Sequence, residues 1–374
     1  MKNILILITK AEVGGAQMSV FNLARKLKEK GFPITVGFGT GTFLADKLKD
    51  LNIPTKRFSY LKRTISPYTN IRFIFETKKY IDTHNIDVIH LNSTNTLFAA
   101  IAAKLSNNKP NVIFTHRGLS LLDKDYKQSA LIRLYAKISF TLLLPLVHHQ
   151  VFVSKENQTQ AQRFSFVKND TVIYNGLDQQ LLKFYPKEQA HEFFEKKIGQ
   201  SLQNKTIIGS IGRLAYQKNY EFLIKEFLTI KEKYPQTVCL IIGTGPEETR
   251  YKELIQKYNL TKDIYLLGNI PEAYRYMKGF NIFVLPSRYE GLSITLLEAL
   301  FAGIPIISSQ VGGAQETIAN NSCLYPLNDS IRFQEALNTL IPSKELQEKL
   351  GKENKKNSSI FNIDHTVDSY IKLY

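Results

Sequence analysis

Tryptophan is absent from the 374 residues, and there are only two cysteines and three methionines. Cys239 and Cys323 are too few for a disulfide framework and lack metal-ligand spacing, so a reducing cytoplasm is the expected compartment. No apolar run approaches the roughly twenty residues of a membrane span. The most apolar stretch, Ile138 to Val147, is about half that and contains Pro145. It reads as a buried helix end, with an interfacial membrane anchor kept open by Arg133 and Lys137. The opening MKNILILITK is broken by Glu12, Gly14 and Gly15 and has no cleavage site, which makes it a first strand rather than a signal peptide. A dinucleotide fingerprint is also missing: Gly14-Gly15 and Gly243-Thr244-Gly245 have no third glycine, and Gly37-Phe38-Gly39 stands where an acid should follow.

Acidic residues are scarce in one half only. Residues 1 to 177 carry 25 Lys+Arg against 11 Asp+Glu, and residues 178 to 374 carry 24 against 22, so nearly all of the +16 net charge lies in the first half. That suits nucleic acid, anionic lipid headgroups or an anionic acceptor; lysines dispersed for solubility would look the same. Against nucleic acid, the aromatics do not interleave with basic runs and no recognised binding module appears. His148-His149 has no third ligand, so no metal site is expected.

What is present is a regular alternation of short apolar strands and amphipathic helices. Strands fall at Ile4 to Thr9, Phe32 to Phe38, Thr55 to Phe58, Val88 to Leu91, Val112 to Thr115, Val151 to Val153 and Val172-Ile173. Helices fall at Ala16 to Lys30, Phe43 to Leu51, Ile71 to His84, Ala99 to Leu105 and Lys127 to Leu144. A turn-rich break at Tyr174-Asn175-Gly176-Leu177-Asp178 precedes a second series: strands at Ile207 to Ile211, Val238 to Ile242, Ile264 to Leu266 and Ile306-Ile307, and helices at Tyr220 to Lys233, Glu247 to Tyr258 and Glu272 to Lys278. The expected fold is α/β, with two doubly wound Rossmann-like domains, at 1–174 and 175–355. A last segment, 356–374, follows the polar run Lys352 to Ser359 and has Ile363, Val367, Tyr370 and Ile371 at helical spacing.

The chemistry concentrates in PSRYEGLSITLLEALFAG, Pro286 to Gly303. A buried strand ends at Pro286, Gly291 turns the chain, Ser293 caps, and Ile294, Leu297, Leu300 and Phe301 recur at helical spacing until Gly303. A helix start beyond a strand's carboxyl end presents unpaired N–H groups to an anion, here a diphosphate. Glu290 and Glu298 bracket it; both would repel phosphate, so they fit hydroxyl partners, and a sugar-nucleotide supplies phosphate and hydroxyls together. Taken alone, each is as readily a solvated charge. Arg213 and Lys218, in GRLAYQKN after another strand, add two cations suited to a leaving diphosphate. Gly14 and Gly15 let backbone approach a ligand in the first βα loop, or are a plain turn.

The pattern PSxxEGxxxxxLEAxxxGxPxI resembles the nucleotide-sugar signature of the retaining GT-B glycosyltransferases of family 4. It implies that Glu290 contacts the donor sugar, that Glu298 contacts the ribose hydroxyls, and that Gly291, Leu292, Ser293 and Ile294 form the helix-start seat. The Arg213-x4-Lys218 spacing resembles the family's pyrophosphate clamp, and VIFTHRG resembles its strand ending in a histidine, His116, that faces the reaction centre from the first domain. Arg117 replaces the histidine, Asp or Asn that often follows. Asn269-Ile270 stands where relatives hold the base by backbone, Gly312-Gly313-Ala314-Gln315-Glu316 resembles a GGxxE segment, and Glu290-Gly291-Leu292-Ser293 lacks the second glycine of the family's frequent EGFG. In the family two such domains face a cleft and the terminal helix crosses back to the first.

The implied activity is transfer of a hexose-type sugar from a nucleotide diphosphate donor, a UDP-sugar, to an acceptor hydroxyl with retention of configuration. The expected setting is cell-surface polysaccharide, lipopolysaccharide or glycolipid synthesis. No cofactor or metal is expected, since cationic side chains do the neutralising. Expected partners are the nucleotide sugar, a glycan or lipid-linked acceptor, and peripheral contact of the basic first domain with the anionic inner membrane face, without nucleic acid. The competitors are a UDP-sugar epimerase of the same fold, a basic nucleic-acid-binding protein and a catalytically inert binding protein.

Overall fold

The computed structural model describes residues 1–119 and 129–374. They form two compact units: residues 1–178 with 361–374, and residues 179–360. The chain leaves the first unit at Asp178, the last residue of the turn that begins at Tyr174, and re-enters it at Phe361.

The first unit has seven strands, β1 (Ile4–Lys10), β2 (Ile34–Thr40), β3 (Thr55–Arg57), β4 (Val88–Leu91), β5 (Asn111–His116), β6 (His149–Phe152) and β7 (Asp170–Val172). They lie in the order β3-β2-β1-β4-β5-β6-β7 with every pair parallel. Among the described residues six α-helices connect them: α1 (Gly15–Glu29), α2 (Phe43–Lys49), α3 (Pro67–His84), α4 (Ala99–Leu105), α5 (Ala130–Leu143) and α6 (Lys155–Ala161). A parallel sheet covered on both faces needs strands apolar on both sides. β1 meets that need: Ile4, Ile6 and Ile8 join one buried cluster with Val20 and Leu23 of α1, while Leu5 and Leu7 join another with Phe73 of α3 and Phe140 of α5.

Where boundaries move from the sequence reading, a local cause is visible. α3 starts four residues before Ile71 because the Ser66 hydroxyl accepts from Thr69 N–H and Pro67 occupies the first helical position. The Lys127 start read for α5 lies outside the described residues; its described start is capped by Ser129. The run Ile138 to Val147 divides between two faces, with Phe140, Leu143, Leu144 and Val147 buried and Ile138 and Leu142 exposed.

The second unit opens with α7 (Lys187–Ile198), which the sequence pattern did not reveal. It continues with β8 (Thr206–Ile211), α8 (Tyr220–Lys233), β9 (Thr237–Ile242), α9 (Glu248–Lys257), β10 (Ile264–Leu266), β11 (Ile282–Leu285), α10 (Ile294–Ala302), β12 (Ile306–Ser309), α11 (Ala314–Thr317) and β13 (Leu324–Tyr325). Its strands are parallel in the order β10-β9-β8-β11-β12-β13. The segment read as a helix from Glu272 to Lys278 is a 3₁₀ turn, Ala273–Gly279, entered through left-handed Glu272 with Arg275 N–H bonded three residues back. Helices α12 (Ser330–Leu340) and α13 (Lys344–Asn357) follow, so most of the polar run at 352–359 is helix.

The last helix, α14 (Ile363–Leu373), belongs to the first unit. Leu177 and Asn362 pair in parallel where the chain exits and returns. A Cβ on Gly176 would lie 2.6 Å from Ile363 Cα, which is why no side chain stands there. Val367 and Tyr370 enter the β1–α1 cluster. Tyr370 Oη bonds Thr115 Oγ1 at 2.9 Å, and His90 bridges Thr115 (2.7 Å) and Tyr374 Oη (2.8 Å). Lys26 reaches both Asp178 and Asp364 at 3.3 Å.

Candidate functional site

In the second unit β8 and β11 are neighbours, so the turns leaving their carboxyl ends emerge side by side. The turn after β8 carries Gly212, Arg213 and, in a 3₁₀ turn at Tyr216–Lys218, Lys218; the turn after β11 carries Pro286 to Ser293. A backbone bond from Arg288 N–H to Gln217 O at 2.7 Å ties the two turns together, and bonds from Leu214 N–H to Thr244 O at 2.9 Å and from Gly313 N–H to Gly291 O at 2.7 Å tie them to the turns after β9 and β12. Glycines permit this approach. A Cβ on Gly243 would meet Gly212 O at 2.0 Å, and one on Gly312, held at φ +55°, would meet Glu290 O at 2.4 Å.

Across these turns Lys218 Nζ donates to Glu290 Oε1 at 2.6 Å. Ser287 Oγ donates to the same oxygen at 2.7 Å, and Gln217 Nε2 reaches Oε2 at 3.3 Å. The lysine and the glutamate assigned separately to diphosphate and sugar thus hold one another, both largely buried. The Lys218 stem passes over Gly212, where a Cβ would stand 3.1 Å from Cε. Arg213 is exposed and stands outside this network.

Ser293 caps α10 through Leu296 N–H at 3.4 Å and touches Thr295 Oγ1 at 3.0 Å. Leu292 and Ile294 are buried, so the helix start can offer a ligand their N–H groups but not their side chains. Inside α10, Glu298 is partly exposed yet so enclosed by protein that loss of hydration pushes its carboxyl up to about 8. Among the described residues it has no hydrogen-bond or ion-pair partner. Tyr274 stands close enough for its hydroxyl to be pushed up by burial first and then by the charges of Glu272 and Glu298. Asn269 is exposed after β10 and Gly268 is left-handed with open space beside it, whereas the Ile270 side chain is buried.

The sequence reading passed over Gln217, Ser287 and Arg288. Arg288 lies 4.4 Å from the Tyr216 ring centre, and its buried Nε has no partner among the described residues. A third cation in PSRYEG was the available signal.

In the first unit, Gly14 precedes α1 without any side-chain cap, and Gly15 is exposed. His116 is the last residue of β5. The residue is 4% exposed, its ring stacked on Phe152 at 4.3 Å and edge-on to Phe114 at 4.5 Å, with Nε2 3.2 Å from Gln150 Oε1. Burial holds its pKa down at about 4, so the imidazole is neutral. Arg117 is engaged too, giving Asn92 Oδ1 two N–H groups at 2.6 and 3.1 Å and Asn175 Oδ1 one at 2.6 Å. No group of three or more His, Cys, Asp or Glu residues among those described is arranged to hold a metal ion.

Residues 192–357 match the family described as glycosyl transferases group 1, and residues 13–181 match glycosyltransferase family 4. The UDP-Gal:alpha-D-GlcNAc-diphosphoundecaprenol alpha-1,3-galactosyltransferase of Escherichia coli is 28% identical over 367 residues, 95% of this chain and 89% of that one. An uncharacterized glycosyltransferase of Methanocaldococcus jannaschii is 29% identical over 262 residues, 67% of this chain and 60% of that one. The crystal structure of Anabaena HepE in complex with UDP and glucose shares the fold, with a TM-score of 0.83 over 100% of this chain and 99% of that one at 18% identity.

Proposed function

Because the chain is a glycosyltransferase of the group 1, family 4 class with the GT-B fold, we propose that it transfers a hexose-type sugar from a UDP-sugar to an acceptor hydroxyl, with retention of configuration. The observation that carries this reading is the Lys218–Glu290 pair beside the start of α10. A cation and an acid of this kind, held by partners a ligand can replace, suit a substrate that brings phosphate and hydroxyls together.

In this mechanism the donor exchanges the pair. Lys218 Nζ turns to the diphosphate, and Glu290, still positioned by Ser287 and Gln217, accepts hydrogen bonds from sugar hydroxyls. As the bond between C1 and the diphosphate oxygen stretches, charge grows on the leaving group, and Lys218, Arg213 and the N–H groups at the start of α10 stabilise it. Cationic side chains then do the neutralising without a metal. Glu298, unpartnered, receives the ribose hydroxyls, and the backbone at Gly268-Asn269 holds the base. Gly14-Gly15 contributes backbone to the donor. His116 acts as a neutral support behind the end of β5.

The acceptor is a lipid-linked glycan of cell-surface synthesis, a reading supported by the diphosphoundecaprenol-linked sugar in the name of the Escherichia coli relative. Thermal shift against a panel of nucleotide sugars is the test, because a ligand bound only by the folded state raises the melting temperature. A UDP-sugar should give the largest rise, and NMR of the product should show the donor's anomeric configuration. A rise with no UDP-containing donor sinks the proposal; sugar isomerised without an acceptor would mark an epimerase instead.

A further inference from the structure

Arg288 carries a charge that no acid among the described residues answers. It lies on the turn between β11 and α10, two residues before Glu290, and is partly exposed. A guanidinium has five N–H donors and stays charged at any ordinary pH. Among the described residues none of these donors is taken by a hydrogen bond or an ion pair, and Nε is buried without a partner. A cation partly withdrawn from water in this way costs free energy until an anion meets it.

The turns after β8 and β11 form a short ladder. Gln217 is its middle rung, its carbonyl accepting from Arg288 N–H and its side chain donating to Tyr289 O at 3.0 Å. On one side of it stands the Lys218–Glu290 pair at 2.6 Å, and on the other the Arg288 guanidinium over the Tyr216 ring at 4.4 Å. The same two turns thus hold a neutralised pair and, one rung further out, an unneutralised cation backed by a ring. Glu290 is already taken by Lys218, Ser287 and Gln217. Tyr216 covers one face of the guanidinium, which leaves its edge for two parallel bonds to an oxyanion.

The place of Arg288 in the turn selects the oxyanion. From Arg288 the chain passes Glu290 and reaches the N–H groups at the start of α10 beside Ser293. With a donor diphosphate at that helix start and its sugar at Glu290, Arg288 falls on the far side of the sugar, where the acceptor stands. We propose that Arg288 binds the phosphate that joins the acceptor's glycan to its lipid, and so selects phosphate-bearing acceptors. This rests on the donor seat and the lipid-linked acceptor of the proposed function.

Geranyl diphosphate, a lipid diphosphate without a sugar, is the probe, with geraniol and inorganic pyrophosphate beside it. Each is titrated into protein saturated with UDP, so that the donor seat is filled. Geranyl diphosphate should raise the melting temperature further and geraniol should not. Arg288→Gln should weaken that binding by about tenfold or more, and Arg288→Lys, which keeps the charge without the fork, by less. Arg332→Gln removes an exposed cation of α12 and should change nothing. UDP alone should stabilise Arg288→Gln as it does the parent. No added rise in the parent overturns the proposal, and so does equal affinity in Arg288→Gln. Loss of the UDP rise in Arg288→Gln overturns it too, by giving the residue to the donor. A rise with pyrophosphate but not with geranyl diphosphate would mark an adventitious ion only. If UDP raises nothing while the geranyl diphosphate rise still depends on Arg288, the donor reading falls and this site stands.

Discussion

His116 and Glu290 both stand at or just past the carboxyl end of a parallel strand, one in each unit, and they are held in opposite ways. His116 is closed in by Phe114 and Phe152 with a single amide partner, and burial leaves it neutral. Glu290 is held by Lys218, Ser287 and Gln217, three polar groups with which a diphosphate or a sugar hydroxyl could compete. An aromatic enclosure fixes a shape, whereas polar partners on short turns hold a charge ready for exchange. The same end of the same kind of sheet therefore carries an aromatic enclosure in one unit and a polar, charge-holding cluster in the other.

The sharpest way to break this contrast is to remove the exchangeable cation. Lys218→Ala should lower sugar transfer by about 10²–10³, as loss of a charge-stabilising donor does elsewhere, and should leave Glu290 a largely buried acid with one partner fewer. Steady-state kinetics that show less than a tenfold loss would return the pair to a structural role. Next in size is the docking of α14. Tyr370→Ala removes a buried ring and the Thr115 partner together, and should cost the first unit about 3–5 kcal/mol in denaturant unfolding; Tyr370→Phe, losing only the hydroxyl, should cost about 1 kcal/mol.

Glu298 tests the second unit through pH. Its carboxyl is raised from 4.5 to about 8 in the folded protein, so the stability held with the proton bound is complete below about 4.5 and drains away as pH rises to about 8. Glu298→Gln keeps the neutral form at every pH. Its melting temperature should match the parent's near pH 4.5 and exceed it by a few degrees at pH 8.5. A gap that does not widen with pH would show the carboxyl titrating normally. The smallest effect is expected at His116, where Phe preserves the stack and transfer should stay within about threefold; a hundredfold loss would restore a direct contact with substrate.

Much of the fold was legible because parallel strands buried on both faces leave unbroken apolar runs, as in Ile4 to Ile8 or Ile282 to Leu285. α7 and α13 were not, because their cores rest on few buried positions such as Ala190 and Phe194, or Gln347 and Leu350, set among charges. At the site, Ser293 and the helix it caps follow from local spacing. The Lys218–Glu290 bond does not, for its partners are 72 residues apart and meet only through the β8–β11 pairing. Burial of His116 was equally hidden, since Gln150 and Phe152 arrive from another strand.

The return of α14 has a consequence for the order of assembly. Every residue of the second unit is synthesised before Val367 and Tyr370, without which the first sheet lacks one of its covering helices and His90 lacks Tyr374. The half made first is therefore the half that must wait for the last residues before its sheet is fully covered.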